Sequence, residues 1–138
     1  DVIVGFPGEE EADFAATCQL VKDLGFSDIH VFKYSPRQGT PAADFSEQVH
    51  SKVKKARSKQ LRKIAAELEQ EYKQQFVGCK MDVLVEKNKD RATGFLTGLT
   101  DNYLRVAVKT SDDLAGQLVS VKLANDEGKL IGELETNI

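Results

Sequence analysis

Residues 1–14, DVIVGFPGEEEADF, decide how the start of the chain folds. Asp1–Val4 is a β-branched, apolar run with no polar alternation, which is typical of a parallel strand buried on both faces. Residues 5–8 form a turn rich in glycine and proline. Residues 9–13 then carry four acidic side chains, which the dipole of a helix N-terminus favours. The stretch therefore predicts a strand, a tight loop and the first turn of a helix.

The residues that follow extend this start into a strand–helix–strand unit. Apolar side chains recur at helical intervals on one stripe, and Gly25 stands where a left-handed cap should end the helix. A second strand is predicted at 29–32. Two parallel strands and one helix do not complete an α/β domain, so we expect the sequence to begin inside a domain, with exposed sheet edges that favour self-association. The members of the stripe are Phe14, Cys18, Val21 and Leu24.

Length and composition exclude several classes of protein. The chain has 138 residues, of which 41% are hydrophobic and 30% charged, with a formal net charge of −3. It can therefore bury a core and is not expected to be disordered. Its apolar runs are far shorter than the ~20 residues of a membrane span. Its two cysteines, Cys18 and Cys79, argue against a disulfide framework and favour a reducing compartment. We expect a cytoplasmic protein with no membrane partner.

Basic charge is concentrated in the middle of the chain. Residues 46–77 hold eight basic and four acidic side chains, whereas residues 1–45 hold three basic and eight acidic ones. After an irregular segment at 35–43, the stretch from Ser51 to Phe76 has helical periodicity without glycine or proline. Its predicted apolar face consists of Val53, Leu61, Ile64, Ala65, Leu68, Tyr72 and Phe76.

Seven cations crowd the first half of this helix, mostly away from the apolar face. Such a cluster could follow a phosphate backbone and displace its counterions. The alternative is an ordinary solvated helix face, since lysine and arginine are good helix formers. The RNA-binding candidates on the helix are Lys52, Lys54, Lys55, Arg57, Lys59, Arg62 and Lys63.

The last part of the chain, from residue 78, changes to short β-branched stretches about ten residues apart, as in a small barrel. Five such strands predict an antiparallel barrel of the OB type, a scaffold that often binds oligonucleotides. The strands are predicted at 80–86, 93–99, 103–109, 117–124 and 129–135.

The third of these strands has a second candidate RNA-binding face. With Leu104, Val106 and Val108 pointing inward, the outer face holds one aromatic ring and two cations beside Ala107. A ring flanked by cations commonly stacks on single-stranded RNA. Cross-strand packing is the alternative explanation for the same residues. The candidates on this face are Tyr103, Arg105 and Lys109.

The loop between the first strand and the first helix is a candidate ligand site. Loops at the carboxyl ends of parallel strands are where α/β folds bind ligands. The patterns GxxxxGK[ST] and GxGxxG are absent, and the acidic residues would repel a phosphate, so a carboxylate here better suits hydroxyl or amino groups. The alternative is an ordinary turn with helix-capping acids. The candidate residues are Gly5, Phe6, Pro7, Gly8 and Glu9.

The remaining reactive side chains lack a recognisable arrangement. His30 lies in a predicted strand and His50 before a helix, and neither has neighbours at metal-ligand spacing, so both are interpreted as structural. Cys18 falls on the apolar stripe, and nothing marks Cys79 as a nucleophile. We therefore predict no metal site and no catalytic residue in this chain.

Four stretches in combination resemble the radical S-adenosylmethionine tRNA methylthiotransferases. The last part of the chain resembles a TRAM domain, the RNA-binding module of that family. The pattern VFxYSxRxGTPAA is most similar to the branch that acts on threonylcarbamoyladenosine, with the isopentenyladenosine and ribosomal-protein branches as alternatives. The stretches are DVIVGFPGEEEADF at 1–14, HVFKYSPRQGTPAA at 30–43, RSKQLRKIAAELEQEY at 57–72 and GLTDNYLRV at 98–106.

The resemblance implies a parent enzyme with two 4Fe-4S clusters, one cleaving S-adenosylmethionine to a radical and the other supplying sulfur. The cluster-binding motif CxxxCxxC is absent, so we expect none of these cofactors in this fragment alone. By the same resemblance, residues 5–9 would border the S-adenosylmethionine site and Arg37 would lie near the barrel mouth. The basic helix and the TRAM face would hold the anticodon stem-loop of tRNA.

These expectations together describe an α+β chain in three segments. Residues 1–45 would be a strand–helix–strand remnant of a truncated α/β radical S-adenosylmethionine barrel, 46–77 a connecting helix, and 78–138 a TRAM-like barrel. The predicted function is that of a C-terminal methylthiotransferase fragment, inactive by itself, which contributes tRNA binding. Two alternatives remain open: a stand-alone RNA-binding module, and an interaction module whose exposed sheet edges pair with another chain.

Overall fold

A computed structural model describes residues 1–135. The chain forms two compact units, Asp1–Tyr72 and Lys73–Ile138. The sequence predicts three segments instead, with the basic helix as a separate connector. The buried face of that helix packs into the core of the first unit, as described below.

The first unit combines a two-stranded parallel sheet with two helices. Strand β1 (Val2–Val4) leads into helix α1 (Glu11–Leu24), and strand β2 (Val31–Lys33) pairs with β1 so that Val2 lies opposite Val31. A single 3₁₀ turn, Pro41–Asp44, overlaps the end of the segment predicted to be irregular, 35–43. Helix α2 (Ser51–Gln74) then begins and continues to the boundary between the units.

Both ends of α1 follow the sequence signals. Glu10 and Asp13 form a capping box, in which each carboxylate accepts a backbone N–H of the other residue. At the other end Gly25 adopts the left-handed conformation, and its N–H donates to the carbonyl of Val21. The predicted cap of α1 is therefore confirmed.

The core of the first unit is apolar and receives residues from every one of its regular elements except the 3₁₀ turn. Three predictions about this unit are wrong. Ile3 is 54% exposed, so β1 is buried on one face only, and Leu24 is exposed instead of lying on the buried stripe of α1. Strand β2 begins at Val31, two residues later than predicted. The core residues are Val4, Phe14, Cys18, Val21, Ile29, Val31, Leu61, Ile64 and Leu68.

Helix α2 turns a different face inward at its start than the apolar pattern predicts. Val53 is exposed, whereas Arg57 and Ser58 are buried on the side that continues through Leu61. His50 precedes the helix, and its ring nitrogen Nδ1 accepts the backbone N–H of Lys52 at 3.1 Å. This contact satisfies one of the unpaired donors at the helix start and gives His50 a structural role.

The second unit is a closed five-stranded barrel. Its strands are neighbours in the order β3-β4-β5-β7-β6, and β6 pairs with β3 to close the ring. Strands β3 and β6 are the longest, and the short strand β4 lies between β3 and β5 and starts three residues later than predicted. The bounds are β3 Lys80–Lys89, β4 Leu96–Leu99, β5 Arg105–Lys109, β6 Leu118–Asp126 and β7 Lys129–Leu134.

The barrel is mixed, so the prediction of an antiparallel barrel is wrong. β5 and β7 run parallel, with Val106 opposite Leu130, while the other neighbouring pairs are antiparallel. The reason is parity: in a closed ring with an odd number of strands, directions cannot alternate all the way round, and at least one pair must be parallel. The OB-like class of barrel is confirmed.

Strand β5 shows the predicted inward side and a modified outer side. Leu104, Val106 and Val108 are buried, as predicted. Ala107 is also buried, at 4% exposed, although the alternation of the strand assigns it to the outer face. Tyr103 lies in the turn before β5 and not in the strand, with a positive φ of 64°.

Candidate functional site

The candidate ligand loop, Gly5–Glu9, follows the carboxyl end of β1 and is closed by one of its own side chains. The carboxylate of Glu9 accepts the backbone N–H of Gly5 at 2.9 Å, and the N–H of Glu9 donates to the carbonyl of Phe6 at 2.9 Å. Gly8 donates its N–H to the carbonyl of Glu47 at 2.8 Å. Most of these polar groups therefore form hydrogen bonds that stabilise the conformation of the loop.

Arg57 completes this closure from α2. Its Nη1 donates to the Glu9 carboxylate at 2.7 Å and to the Glu9 carbonyl at 3.0 Å, and Nη2 lies 3.4 Å from the Glu11 carboxylate. Arg57 is 7% exposed, and its guanidinium lies 5.7 Å from the centre of the Phe14 ring. The sequence assigns Arg57 to RNA and Glu9 to a ligand, but in the structure each side chain is bound to the other.

Lys54 is another predicted RNA-binding cation of α2 that is not fully exposed to solvent. Its side chain lies against Gly5, where an added Cβ would overlap it, and its Nζ donates to the carbonyl of Tyr34 at 3.1 Å. The same nitrogen lies 5.7 Å from the centre of the Tyr34 ring. Lys54 is half-buried. Two of the seven predicted RNA-binding cations on α2 thus contact the first unit's own loops.

Three aromatic rings lie beside the loop. Phe6 packs edge-on against Tyr34, with ring centres 5.3 Å apart, and against Phe45 at 6.3 Å. Phe6 and Phe45 are both exposed, although Pro7 is buried. Since Glu9 is engaged by Arg57, Phe6 is the side chain of the loop that is best placed to contact a ligand ring. Arg37, in the turn that follows β2, is exposed.

Five cations remain exposed along the outer face of α2, and we call them the cation stripe: Lys52, Lys55, Lys59, Arg62 and Lys63. At 3.6 residues per turn they fall within an arc of about 100°, opposite the buried face. The stripe spans about 16 Å, since each residue advances the helix by 1.5 Å. Arg62 also reaches the carbonyl of Val31 at 3.5 Å. The arrangement is suited to a linear polyanion.

A signal in the sequence could have separated Arg57 from this stripe. Arg57, Leu61, Ile64 and Leu68 recur at intervals of four, three and four residues, which is the spacing of a single helix face. Arg57 therefore shares its phase with the core. The ion pair with Glu9 has no local signal, because its partners are 48 residues apart.

Tyr103 projects from the tight turn between β4 and β5. Thr100 holds this turn, since its Oγ1 accepts the N–H of Leu104 at 2.9 Å and its carbonyl accepts the N–H of Tyr103 at 3.1 Å. The Tyr103 side chain is 84% exposed in a left-handed backbone conformation that is rare outside glycine. The turn presents an open ring to solvent, as a stacking platform requires.

The two cations predicted beside Tyr103 are paired with carboxylates. Arg105 donates to Glu86 at 2.8 Å, and this hydrogen bond lowers the pKa of the Glu86 carboxyl. Lys109 lies 3.5 Å from Glu133. Both ion pairs are solvent-exposed, and exposed pairs are weak enough to exchange partners. Arg105 and Lys109 therefore remain candidates for phosphate contacts.

Asp90 ties the turn after β3 to β7. Its carboxylate accepts the Lys129 Nζ at 2.7 Å, and it also accepts the backbone N–H and the hydroxyl of Thr93 at 2.8 and 2.9 Å. The hydrogen bond from Lys129, followed by those from Thr93, lowers the pKa of Asp90 to about 2. The contact with Lys129 has no local signal in the sequence, because its partners are 39 residues apart.

A groove of about 590 Å³ lies at one end of the barrel, between the turn after β3 and the segment after β5. Phe95 and two lysines line it together with the carboxylates of Asp112 and Asp113. The opposite charges give it no net preference for an anion. The lysines are Lys87 and Lys89.

The cysteines and histidines do not assemble a metal centre. Cys18 is buried in the core of the first unit, where burial raises the pKa of its thiol, and Cys79 is exposed in the second unit. Among residues 1–135, no three His, Cys, Asp or Glu side chains are grouped so that they could hold a metal ion. The described residues therefore do not fit an iron–sulfur cluster. His30 bonds to Asp1 at the surface.

Comparison with known proteins finds many relatives, and two of them are described here. Threonylcarbamoyladenosine tRNA methylthiotransferase MtaB of Bacillus subtilis (strain 168) is 37% identical over 145 aligned residues, covering 100% of this chain and 32% of the relative. The tRNA-2-methylthio-N(6)-dimethylallyladenosine synthase of Akkermansia muciniphila is 36% identical over 128 residues, covering 93% of this chain and 28% of the relative. No protein-family model matches the chain.

The first unit carries a helix with an exposed cation stripe, and the second unit is an OB-like barrel. The two relatives confirm the family predicted from the sequence, the tRNA methylthiotransferases. The chain spans about a third of the length of these relatives. No helix in the described part of the chain is long and apolar enough to cross a membrane.

Proposed function

We propose that this chain is the tRNA-binding part of a tRNA methylthiotransferase and that it holds the anticodon stem-loop. One observation carries the proposal: five exposed cations lie along one arc of α2, opposite its buried face. Lysine and arginine spaced along a helix neutralise phosphates and release counterions without reading bases. In the second unit, considered by itself, the exposed ring of Tyr103 offers a stacking surface for an unpaired base.

The substrate that we propose is threonylcarbamoyladenosine in tRNA. The pattern VFxYSxRxGTPAA, at residues 31–43, supports this branch, and so does the name of the Bacillus subtilis relative. The second relative is named for dimethylallyladenosine at almost the same identity. The alternative branch is therefore an explicit arm of the experiment below.

In the whole enzyme, the loop Gly5–Glu9 would border the S-adenosylmethionine site through Phe6 and the loop backbone, with Glu9 holding the loop in shape. Bound S-adenosylmethionine would supply the radical and the methyl group, and the two 4Fe-4S clusters would be held by residues outside this chain. We expect no methylthio transfer by this chain alone, because the ligands for a cluster are missing from its described residues.

The experiment measures binding of this chain to a fluorescent anticodon stem-loop. Reversing two stripe charges, Lys55→Glu with Lys59→Glu, should weaken binding by about tenfold or more, because two phosphate contacts become repulsive. The control, Lys22→Glu with Lys33→Glu, makes the same change in net charge at exposed lysines outside the stripe. Equal losses in both double variants would show that only overall charge matters and would overturn the proposal.

The second arm compares stem-loops that carry different adenosines at the modified position. The proposed branch predicts tighter binding of RNA with threonylcarbamoyladenosine than of RNA with dimethylallyladenosine. The unmodified stem-loop serves as the reference. Tighter binding of the dimethylallyl form would assign the chain to the alternative branch. It would not affect the proposal that the cation stripe binds RNA.

A further inference from the structure

We propose that Arg57 is a positioning residue for the loop Gly5–Glu9, so that the helix carrying the cation stripe also holds the ligand loop in shape. The role of this loop beside a ligand rests on the proposed function. The positioning itself rests on contacts within the first unit. The sequence assigns Arg57 and its neighbour Lys54 to RNA, and the structure gives both a different use.

The Arg57 guanidinium contacts both the side chain and the backbone of the same loop residue, Glu9. Arg57 Nη1 donates to the side chain of Glu9 at 2.7 Å and to its carbonyl at 3.0 Å. The same carboxylate oxygen accepts the N–H of Gly5 at 2.9 Å. Glu9 therefore links the end of the loop to its beginning, and Arg57 fixes the rotamer of Glu9 that makes this link possible.

Lys54, one turn earlier on α2, packs against the other end of the loop. Its side chain lies against Gly5, and its Nζ donates to the carbonyl of Tyr34. The N–H of Tyr34 in turn donates to the carbonyl of Val4 at 2.8 Å. The helix thus reaches the loop both directly and through the strand end beside it.

The burial of Arg57 and its ion pairs exclude a direct role of this residue in RNA binding. The Arg57 side chain is 8% exposed, and its charge is already met by Glu9 and Glu11. A phosphate would have to displace the Glu9 carboxylate from a buried ion pair, which would leave that carboxylate without its cation. A phosphate that binds the exposed cation stripe, on the opposite face of α2, does not have to break this buried ion pair.

The test is backbone amide exchange of the free chain, which needs neither RNA nor cofactor. Arg57→Met keeps an unbranched buried side chain and removes the hydrogen bonds, so the exchange of the Gly5 N–H should rise by roughly tenfold. Amides in the buried part of α2, such as that of Leu61, should keep their wild-type rates. Arg57→Lys keeps the charge and should restore part of the protection. The matched control is Lys59→Met, at an exposed cation of the same helix, which should leave the Gly5 amide unchanged.

Each other outcome contradicts the proposal. Wild-type exchange at Gly5 in folded Arg57→Met would show that Glu9 holds the loop without help. Equal acceleration at Gly5 and Leu61 would make Arg57 a general packing residue. If Arg57→Met does not fold, Glu9→Gln removes the same ion pair by changing the loop residue instead, and it should also accelerate Gly5 exchange. Stem-loop binding distinguishes the two proposals: Arg57→Met should bind RNA within about twofold of wild type, whereas loss of the stripe should not change Gly5 exchange.

Discussion

Glu9 and Arg57 are 48 positions apart in the chain, yet their side chains meet at 2.7 Å. Their pairing changes how both residues are interpreted, because a loop carboxylate and a helix cation that look available for ligands neutralise each other in a buried contact. A buried charge is tolerated when it is paired and hydrogen-bonded. In the first unit, the candidates left for ligand contacts are accordingly the outward residues: Phe6 on the loop and the cation stripe on the helix.

Gly5 provides a test at the scale of one residue. Its φ is +75°, and a Cβ would overlap the Lys54 side chain. Gly39 has a φ of +86° with open space around it. Gly39→Ala should therefore measure backbone strain alone, at about 1–2 kcal/mol, and Gly5→Ala should cost about 1–3 kcal/mol more, because the overlap is added. Urea unfolding followed by circular dichroism compares the two variants, and equal costs would contradict the packing of Lys54 on the loop.

At the scale of elements, regular structure follows local pattern closely and departs from it where elements meet. The acidic residues at its start and Gly25 at its end mark α1 from sequence alone, because these signals act within a few residues. The inward residues of β5 follow from strand alternation. The parallel pairing of β5 with β7 does not, because it depends on closure of the whole ring. Likewise, the exposure of Ile3 depends on what covers the outer face of a two-stranded sheet.

The contact between Asp90 and Lys129 connects two such elements, the turn after β3 and strand β7. The pKa of Asp90 falls from an ordinary 3.8 to about 2. A carboxyl group whose pKa is lower in the folded state stabilises the fold at pH values above its unfolded pKa, and this contribution is lost as the pH falls through the folded value. Asp90→Asn should therefore lower the unfolding midpoint above about pH 4.5, and the difference from wild type should shrink toward pH 2.

The measurement is urea unfolding of both proteins as a function of pH. Lys22→Met, an exposed cation outside the barrel, gives a comparison in which one charge is removed without this contact. A difference between wild type and Asp90→Asn that stays constant down to pH 2 would show that the carboxylate charge contributes nothing.

At the scale of the whole molecule, the net charge of −3 conceals a basic segment. Eight of the 19 basic residues lie between 46 and 77, and the structure gathers five of them on one exposed face. Local fields rather than total charge govern the binding of a polyanion. An acidic protein can therefore bind RNA through one surface.

This charge distribution predicts a steep dependence of RNA affinity on salt. If three to five phosphates are neutralised, the logarithm of the association constant should fall with the logarithm of salt concentration with a slope of about −2 to −3.5. The double variant Lys55→Glu with Lys59→Glu should bring this slope about 1.4 closer to zero. Anisotropy titrations between about 50 and 200 mM salt, a range over which phosphate contacts are strongly salt-dependent, measure both slopes. A salt-independent affinity would contradict binding by the cation stripe.

The sequence by itself determined which segments become helices and strands, the OB-like class of the barrel, the basic character of α2 and the resemblance to the tRNA methylthiotransferases. These features depend on local periodicity, turn residues and motifs that are contiguous in the chain. Only the tertiary structure decided that Arg57 pairs with Glu9, that Lys54 lies against Gly5 and that β5 and β7 run parallel. Those outcomes depend on partners that are distant in sequence, and each side chain's pattern is compatible with more than one partner until the elements pack together.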